Sequence, residues 1–166
     1  MESLAIRQYP DSILRRKCSQ IEKITPKEIT VFELMLSTMY KFEGVGLAAP
    51  QIGITSSLLV VDIGDGAIKL ANPVILKVRG SDRMEEGCLS IPSVTVDIER
   101  PYEIVAGGLN EEGRVVEIKA QGLLARVLQH EIDHLKGRLI VDYLNLLEKF
   151  KRRLHKRKQV ERYANL

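Results

Sequence analysis

Residues 123–135 constrain the fold more than any other segment, because they combine a clear helical period with two histidines. Apolar side chains recur there at spacings of three, four and seven residues, which predicts an amphipathic helix, and Gly137 is placed to end it. His130 and His134 stand four residues apart, about 40° around the helix axis, so both imidazoles point to one side. The apolar stripe consists of Leu123, Leu124, Val127, Leu128, Ile132 and Leu135.

The run His130-Glu131-Ile132-Asp133-His134 is typical of a helix that binds a metal ion. Two imidazole nitrogens on one side can hold one ion at roughly 2.0–2.1 Å. Glu131 lies about 60° from His134 around the axis, near such an ion without having to bind it. A carboxylate there can take a proton from metal-bound water and pass it on. The pattern predicts a metal-dependent hydrolase; the alternative is a pair of histidines without a metal.

A catalytic site of this kind needs a third protein ligand. The metzincin pattern would require a histidine at position 140, where Ile140 stands. A gluzincin would use a downstream glutamate, and neither Glu148 nor Glu161 has a supporting context. Cys88 is better placed, since it lies between a glycine that frees the backbone and a proline that fixes it. A thiolate with two imidazoles leaves the fourth position open for water.

Residues 44–53 contain three glycines, two alanines and one proline. This lack of bulk lets the backbone approach another group closely. A tight connector between a helix and a strand is the alternative interpretation.

A first helix is predicted from Pro26 to about residue 42. Thr25 can cap it, Glu28 can complete a capping box, and Gly44 is expected to end it. The order of helix, strands and further helices predicts an α+β fold, with mostly antiparallel β-sheets packed around the central metal-binding helix. The strands are predicted at residues 58–63, 75–78, 94–98, 103–107 and 115–119, with a hairpin loop at 110–113.

The 166 residues fit a single catalytic domain, 1–166, that includes a basic C-terminal helix from about 143 to 163. The formal net charge is +3. Residues 148–166 hold eight Lys or Arg and two Glu, a net charge of +6, so residues 1–147 carry −3. A basic patch of this kind can bind phosphate groups, whereas a solvated helix face is the alternative.

Residues 1–7 lack the basic start and apolar core of a secretory signal, and no stretch approaches the roughly 20 apolar residues of a membrane span. We therefore expect a cytoplasmic protein. Thiols stay reduced in that compartment, so Cys18 and Cys88 are expected to be free.

Three segments together closely resemble the peptide deformylase family, whose members remove the formyl group from the initiator methionine of nascent chains. The family carries Gly-x-Gly-x-Ala-Ala-x-Gln, Glu-Gly-Cys-x-Ser and Gln-His-Glu-x-Asp-His motifs in this order. In this chain all three motifs are complete, at residues 44–51, 86–90 and 129–134. The resemblance covers nearly the whole chain, including Tyr9-Pro10-Asp11 and the C-terminal segment.

The resemblance implies a ligand set and a mechanism. Cys88, His130 and His134 would hold one divalent ion, Fe(II) in this family, with Zn(II), Ni(II) or Co(II) as substitutes. Glu131 would deprotonate the bound water and later protonate the leaving amine. The side-chain amide of Gln51 and the backbone N–H of Leu89 would stabilise the oxyanion.

The resemblance also implies a substrate site. Gly46 would let the peptide lie alongside as an added strand. The methionine pocket would be lined, together with His130, by Val45, Met84, Glu86, Leu123 and Val127. Many bacterial members place an arginine just after the cysteine motif, where this chain has Ser93-Val94-Thr95, so the preference beyond methionine is open.

N-formylmethionyl nascent peptides are the partners that the resemblance implies, with ribosome contact through the basic C-terminal helix and no role for DNA or membranes. A zincin-type protease is a second hypothesis, and the Cys88 segment argues against it. An RNA-binding protein with a closed, structural metal site is a third. That site would need a fourth protein ligand. It would have no role for Glu131 or Gln51.

Overall fold

A computed structural model describes residues 3–144 and shows a mixed α+β fold of helices and antiparallel sheets, as predicted. The helices and strands in this part of the chain are α1 Pro26–Lys41, β1 Gly46–Ala48, β2 Leu58–Val61, β3 Ile68–Arg79, β4 Asp82–Cys88, β5 Ile91–Arg100, β6 Glu103–Leu109, β7 Val115–Gln121 and α2 Gly122–Leu135. Short 3-10 helices occupy Ser12–Arg15, Ala49–Ile52 and Ile140–Asp142.

The strands form two sheets in which every pairing is antiparallel. One has the order β1-β2-β3-β6-β7, and the other consists of β4 and β5. The register between β3 and β6 shifts around Asn72, which has a φ of 51° and precedes Pro73. The Asn72 side chain secures this irregularity, since it bonds both the amide and the carbonyl of Ile21, at 3.0 and 2.8 Å. Alternation alone therefore predicted only residues 75–78 of β3.

The other strand predictions agree with the structure in position and differ at their ends. β2 stops two residues short of the predicted 63, and β5 begins at 91 rather than 94. The hairpin loop joins β6 to β7 as expected. β1 and β4 were not predicted, because one is only three residues long and the other lacks an alternating pattern.

The first helix begins as predicted. Thr25 and Glu28 form the capping box, and the Thr25 amide donates to Glu28 Oε2 at 3.0 Å. The predicted end at Gly44 is wrong in detail, because Glu43 takes the left-handed conformation with a φ of 54°. Gly44 instead allows close packing, since a Cβ there would lie 2.9 Å from Leu89 Cδ1.

Both faces of β2 are buried, which explains why all four of its residues are apolar. Leu59 and Val61 pack in a cluster with α2, whereas Leu58 and Val60 pack in a cluster with α1. α2 thus lies against the five-stranded sheet. The small sheet has its own core, formed by Leu14, Ile91, Val96, Ile98, Leu139 and Ile140.

α2 ends as predicted, with Gly137 at a φ of 73°. The predicted basic helix from 143 to 163 lies outside the described residues except for its first two positions, which are not helical. Cys18 and Cys88 are free, as expected. Between residues 3 and 144, no helix has the length and apolar character needed to cross a membrane.

Candidate active site

Cys88, His130 and His134 converge at one point between the small sheet and α2. Their potential ligand atoms all lie within 4.8 Å of one another. Cys88 Sγ is 3.2 Å from His134 Nε2, and the two imidazole centroids are 5.0 Å apart. Two local features produce this arrangement: the helical spacing of the histidines and a register shift after Glu86 that re-aims the end of β4.

Glu86 fixes the orientation of one imidazole. Its Oε2 lies 3.0 Å from His130 Nδ1, which leaves Nε2 of that ring for an ion. Burial alone would raise the pKa of Glu86, but hydrogen bonds from His130 and Arg100 lower it to about 2. The carboxylate is therefore ionised, and His130 donates its Nδ1 proton to it.

Glu131 is buried beside the three candidate ligands, with 3% of its surface exposed. Burial raises the pKa of its carboxyl group to about 7. Gly46 leaves room for the Glu131 carboxylate, because a Cβ on Gly46 would lie 2.6 Å from Glu131 Oε1 and from Val127 Cγ1. The close approach predicted for the glycine-rich segment is thus an approach of α2 to β1.

Gln51 is buried and directed at the same point. Its Oε1 accepts a hydrogen bond from the Ala48 amide at 2.7 Å, which fixes the side chain. Its Nε2 then lies 3.7 Å from Cys88 Sγ and 3.3 Å from Ser90 Oγ. Leu89 follows Cys88 and lines the same cavity.

These residues lie on a cavity of about 400 Å³. Val45, Met84 and Leu123 are 44–48% exposed, whereas Val127 is buried. The mouth of the cavity is therefore apolar and accessible. With the exception of His134, the site residues proposed from the sequence all line this cavity. They are Val45, Gly46, Gln51, Met84, Glu86, Cys88, Leu89, Leu123, Val127, His130 and Glu131.

Sequence reasoning missed Arg126, which also lines the cavity and is 5% exposed. Its guanidinium bonds Glu86 Oε1 at 2.7 Å and the carbonyls of Ile98 and Asp82, each at 2.9 Å. Arg126 therefore ties α2 to both strands of the small sheet. The available signal was an arginine inside the apolar pattern of the helix, between Leu124 and Leu128.

The residues present fit a metal ion. Among residues 3–144, two buried side-chain nitrogen or oxygen atoms lack a hydrogen-bond partner, His134 Nδ1 and Glu131 Oε2. His134 faces Cys88 through its other nitrogen, Nε2, so Glu131 Oε2 is the unpaired atom that lies on the cavity beside the potential ligands. An unpaired buried polar group costs about 1–3 kcal/mol, so such atoms mark a place that receives something from outside the chain. Within the same range the potential ligands number three, which leaves a coordination position open. Three such potential ligands with a buried carboxylate beside them are typical of a metal-dependent hydrolase rather than of a closed structural site.

The family follows from comparison with known proteins. The sequence profile of the polypeptide deformylase family matches residues 3–150, so the chain belongs to the peptide deformylases. It is 51% identical over 137 residues to the peptide deformylase of Clostridium botulinum (strain Alaska E43 / Type E3), covering 82% of this chain and 93% of that protein.

Solved structures agree. A peptide deformylase from Legionella pneumophila superposes with a TM-score of 0.87 at 38% identity, over 96% of this chain and 98% of that one. That of Synechococcus elongatus, solved in complex with actinonin, has a TM-score of 0.83 at 41% identity and covers 87% of this chain and 81% of that one. The predicted family and class of enzyme are therefore confirmed.

Proposed function

We propose that this enzyme removes the formyl group from the N-terminal methionine of newly synthesised proteins by metal-assisted hydrolysis of the formyl amide. The observation that carries the proposal is the Glu131 carboxylate, buried beside three convergent ligands with one oxygen unpartnered. A buried carboxyl group with a pKa near neutrality is suited to accept and return a proton.

Cys88, His130 and His134 hold the ion in this proposal. One thiolate and two imidazoles suit several first-row divalent metals, and the family resemblance selects Fe(II), with Zn(II), Ni(II) or Co(II) as substitutes. When bound, the ion supplies an activated water and polarises the formyl group.

Glu131 acts as the general base and then as the general acid. Its Oε2 takes a proton from the attacking water as the oxygen bonds to the formyl carbon. It then gives that proton to the α-nitrogen as the carbon–nitrogen bond breaks, which yields formate and a free amine. The steric fit of Gly46 against Glu131 supports this role, because any larger residue at 46 would displace the carboxylate.

Gln51 and Leu89 stabilise the developing negative charge. Gln51 Nε2 and the Leu89 backbone N–H donate to the formyl oxygen during attack, and each donor contributes about 3 kcal/mol to lowering the barrier. The anchoring of Gln51 Oε1 by the Ala48 amide supports this assignment, because it leaves the amide nitrogen facing Cys88.

The peptide binds as an added strand along β1, which lies at the edge of the five-stranded sheet. The unbranched methionine side chain enters the cavity between Val45, Met84, Leu123 and Val127. Glu86 contributes a wall rather than a free charge, because its carboxylate is fully engaged by ion pairs.

Appearance of a free α-amine, measured for three N-acylated peptides, tests this proposal. Metal-loaded protein should deformylate formyl-Met-Ala-Ser with a kcat/KM at least tenfold above that for formyl-Asp-Ala-Ser, and it should leave acetyl-Met-Ala-Ser intact. The apolar cavity mouth is the reason for the first preference. Absence of formate and of free amine from both formylated peptides, with one ion bound per chain, would overturn the proposal.

Nascent chains in the cytoplasm are the proposed substrates of this single catalytic domain. We further propose that residues 148–166 contact ribosomal RNA through their net charge of +6. Deletion of these residues should abolish salt-dependent RNA binding and spare turnover of formyl-Met-Ala-Ser. Equal RNA binding by the full and shortened chains would refute the contact.

A further inference from the structure

A chain of hydrogen bonds leads away from His130 into a part of the molecule that the reaction does not use. His130 Nδ1 contacts Glu86 Oε2, and the same carboxylate accepts from Arg100 Nε at 2.5 Å and from Arg100 Nη2 at 3.0 Å. Arg100 Nη1 donates to Asp133 Oδ2 at 2.9 Å and lies 3.2 Å from the hydroxyl of Tyr143. The Tyr143 hydroxyl in turn donates to Asp133 Oδ2 at 2.5 Å.

Arg100 is the centre of this cluster and is 5% exposed. A buried guanidinium is fixed by the acceptors around it, and here Glu86 takes one edge while Asp133 and Tyr143 take Nη1. Four contacts from three side chains occupy the Glu86 carboxylate, because Arg126 also donates to Oε1. The orientation of Glu86, and with it that of the His130 ring, therefore depends on where Arg100 is held.

Tyr143, which follows α2 in the chain, is the last member of the cluster and contacts both Arg100 and Asp133. Burial and the hydrogen bond to Asp133 raise the pKa of the Tyr143 hydroxyl, so it stays protonated and donates. The guanidinium of Arg100 lies 5.0 Å from the centroid of the Tyr143 ring. Replacement by phenylalanine would keep this ring contact and remove only the hydroxyl.

We propose that Arg100, Asp133 and Tyr143 are positioning residues for the metal ligand His130, acting through the carboxylate of Glu86. The cluster restrains the rotation of the imidazole, so Nε2 is held toward Cys88 before an ion binds. This inference rests on the metal site of the proposed function and adds residues that touch neither ion nor substrate. Its consequence is that the Tyr143 hydroxyl raises metal affinity.

Cobalt(II) is a suitable probe, because bound to a thiolate and imidazoles it gives visible and near-ultraviolet absorption that reports on the ligands. Wild type, Tyr143→Phe and Tyr40→Phe would be stripped of metal and titrated with Co(II) against a competing chelator. Tyr40→Phe is the matched control, since Tyr40 also donates to a carboxylate, Asp62 at 2.6 Å, on the exposed surface. Thermal unfolding of each metal-free protein would be measured in parallel.

Tyr143→Phe should bind Co(II) about 3–10-fold more weakly than wild type, and Arg100→Lys about 10–100-fold more weakly, because partners of this kind orient metal-bound histidines. The Tyr143→Phe absorption bands should shift or broaden, whereas Tyr40→Phe should match wild type. Co(II) affinity and spectrum unchanged in Tyr143→Phe, with or without a lower unfolding temperature, would overturn the proposal even if Arg100→Lys failed to fold. Failure of wild type to bind Co(II) would contradict the proposed function itself and leave nothing for the cluster to position.

Discussion

Gly46 shows how much a single residue can decide at this site. The sequence indicated that the backbone near Gly46 approaches something closely, and the structure identifies the neighbours as Glu131 and Val127 of α2. The need for a small residue was predictable from composition, but its cause was not. The partners of Arg126 and Arg100 could not be assigned either, because they lie 14 to 44 residues away in the chain, although an arginine inside the apolar helix pattern marked Arg126 as unusual.

Gly46→Ala should lower both stability and activity. The added Cβ would lie 2.6 Å from Glu131 Oε1, and overpacking of this kind typically costs 1–3 kcal/mol. Displacement of the carboxylate by about 1 Å should reduce kcat roughly 100-fold. Urea unfolding and formate release would measure the two effects. Gly87→Ala, where a Cβ has no atom within 4 Å, should keep wild-type stability; equal losses in both variants would refute the steric argument.

Gln51→Glu should separate charge stabilisation from structure. The variant keeps an oxygen to accept from the Ala48 amide but replaces the donor that faces Cys88. We expect kcat to fall about 100- to 1,000-fold, as for loss of one oxyanion donor. Steady-state kinetics at equal metal content would measure this. A kcat within threefold of wild type would show that Gln51 does not act as a donor.

Elements differed in how far the sequence predicted them. α1 and α2 were predicted closely because each has a long apolar stripe and clear terminal signals, such as the Thr25–Glu28 capping box and Gly137. β1 and β4 carry Gly46 and Cys88, yet neither was predicted as a strand. Short strands are defined by their partners, and the pairing of β4 with β5 is a tertiary property.

The α1 capping box should matter for stability and not for catalysis. Thr25→Ala should destabilise the fold by about 1 kcal/mol, because the amide of Lys27 loses its side-chain acceptor and Glu28 keeps the backbone amide of residue 25 but loses the hydroxyl donor. Chemical denaturation would measure the change, with formate release unaffected. Thr30→Ala, on the exposed side of the same helix, is the control. A Thr25→Ala variant as stable as this control would contradict the assigned cap.

At the scale of the molecule, the candidate site joins two separately built units. Cys88 belongs to the two-stranded sheet, whereas His130 and His134 belong to a helix packed on the five-stranded sheet. The sequence predicted the α+β class from the order of elements and the histidine pair from helical spacing, whereas Cys88 was favoured by its local context and by the family resemblance. It could not predict that the three candidate ligands lie on different packing units, where a bound ion would cross-link the small sheet and α2.

Metal removal should therefore lower the unfolding temperature. An ion present at 1,000 times its Kd contributes about 4 kcal/mol, which for a chain of this size corresponds to a shift on the order of 10 °C. Calorimetry of metal-loaded and chelator-stripped protein would measure the shift. Cys88→Ala should unfold at the same temperature with or without added metal. A wild type insensitive to chelation would argue against an ion held between the sheet and the helix.

In the proposed hydrolysis of the formyl amide Glu131 carries the proton, and comparison of the wild type with a variant that lacks this carboxylate isolates that role. Wild type and Glu131→Gln would be purified without oxygen, loaded identically with Fe(II), and assayed for formate release from formyl-Met-Ala-Ser. We expect steady release by wild type and a loss of about 1,000-fold in Glu131→Gln at equal iron content. Comparable release by both proteins would contradict the role of Glu131, and no release by either would contradict the deformylase mechanism as a whole.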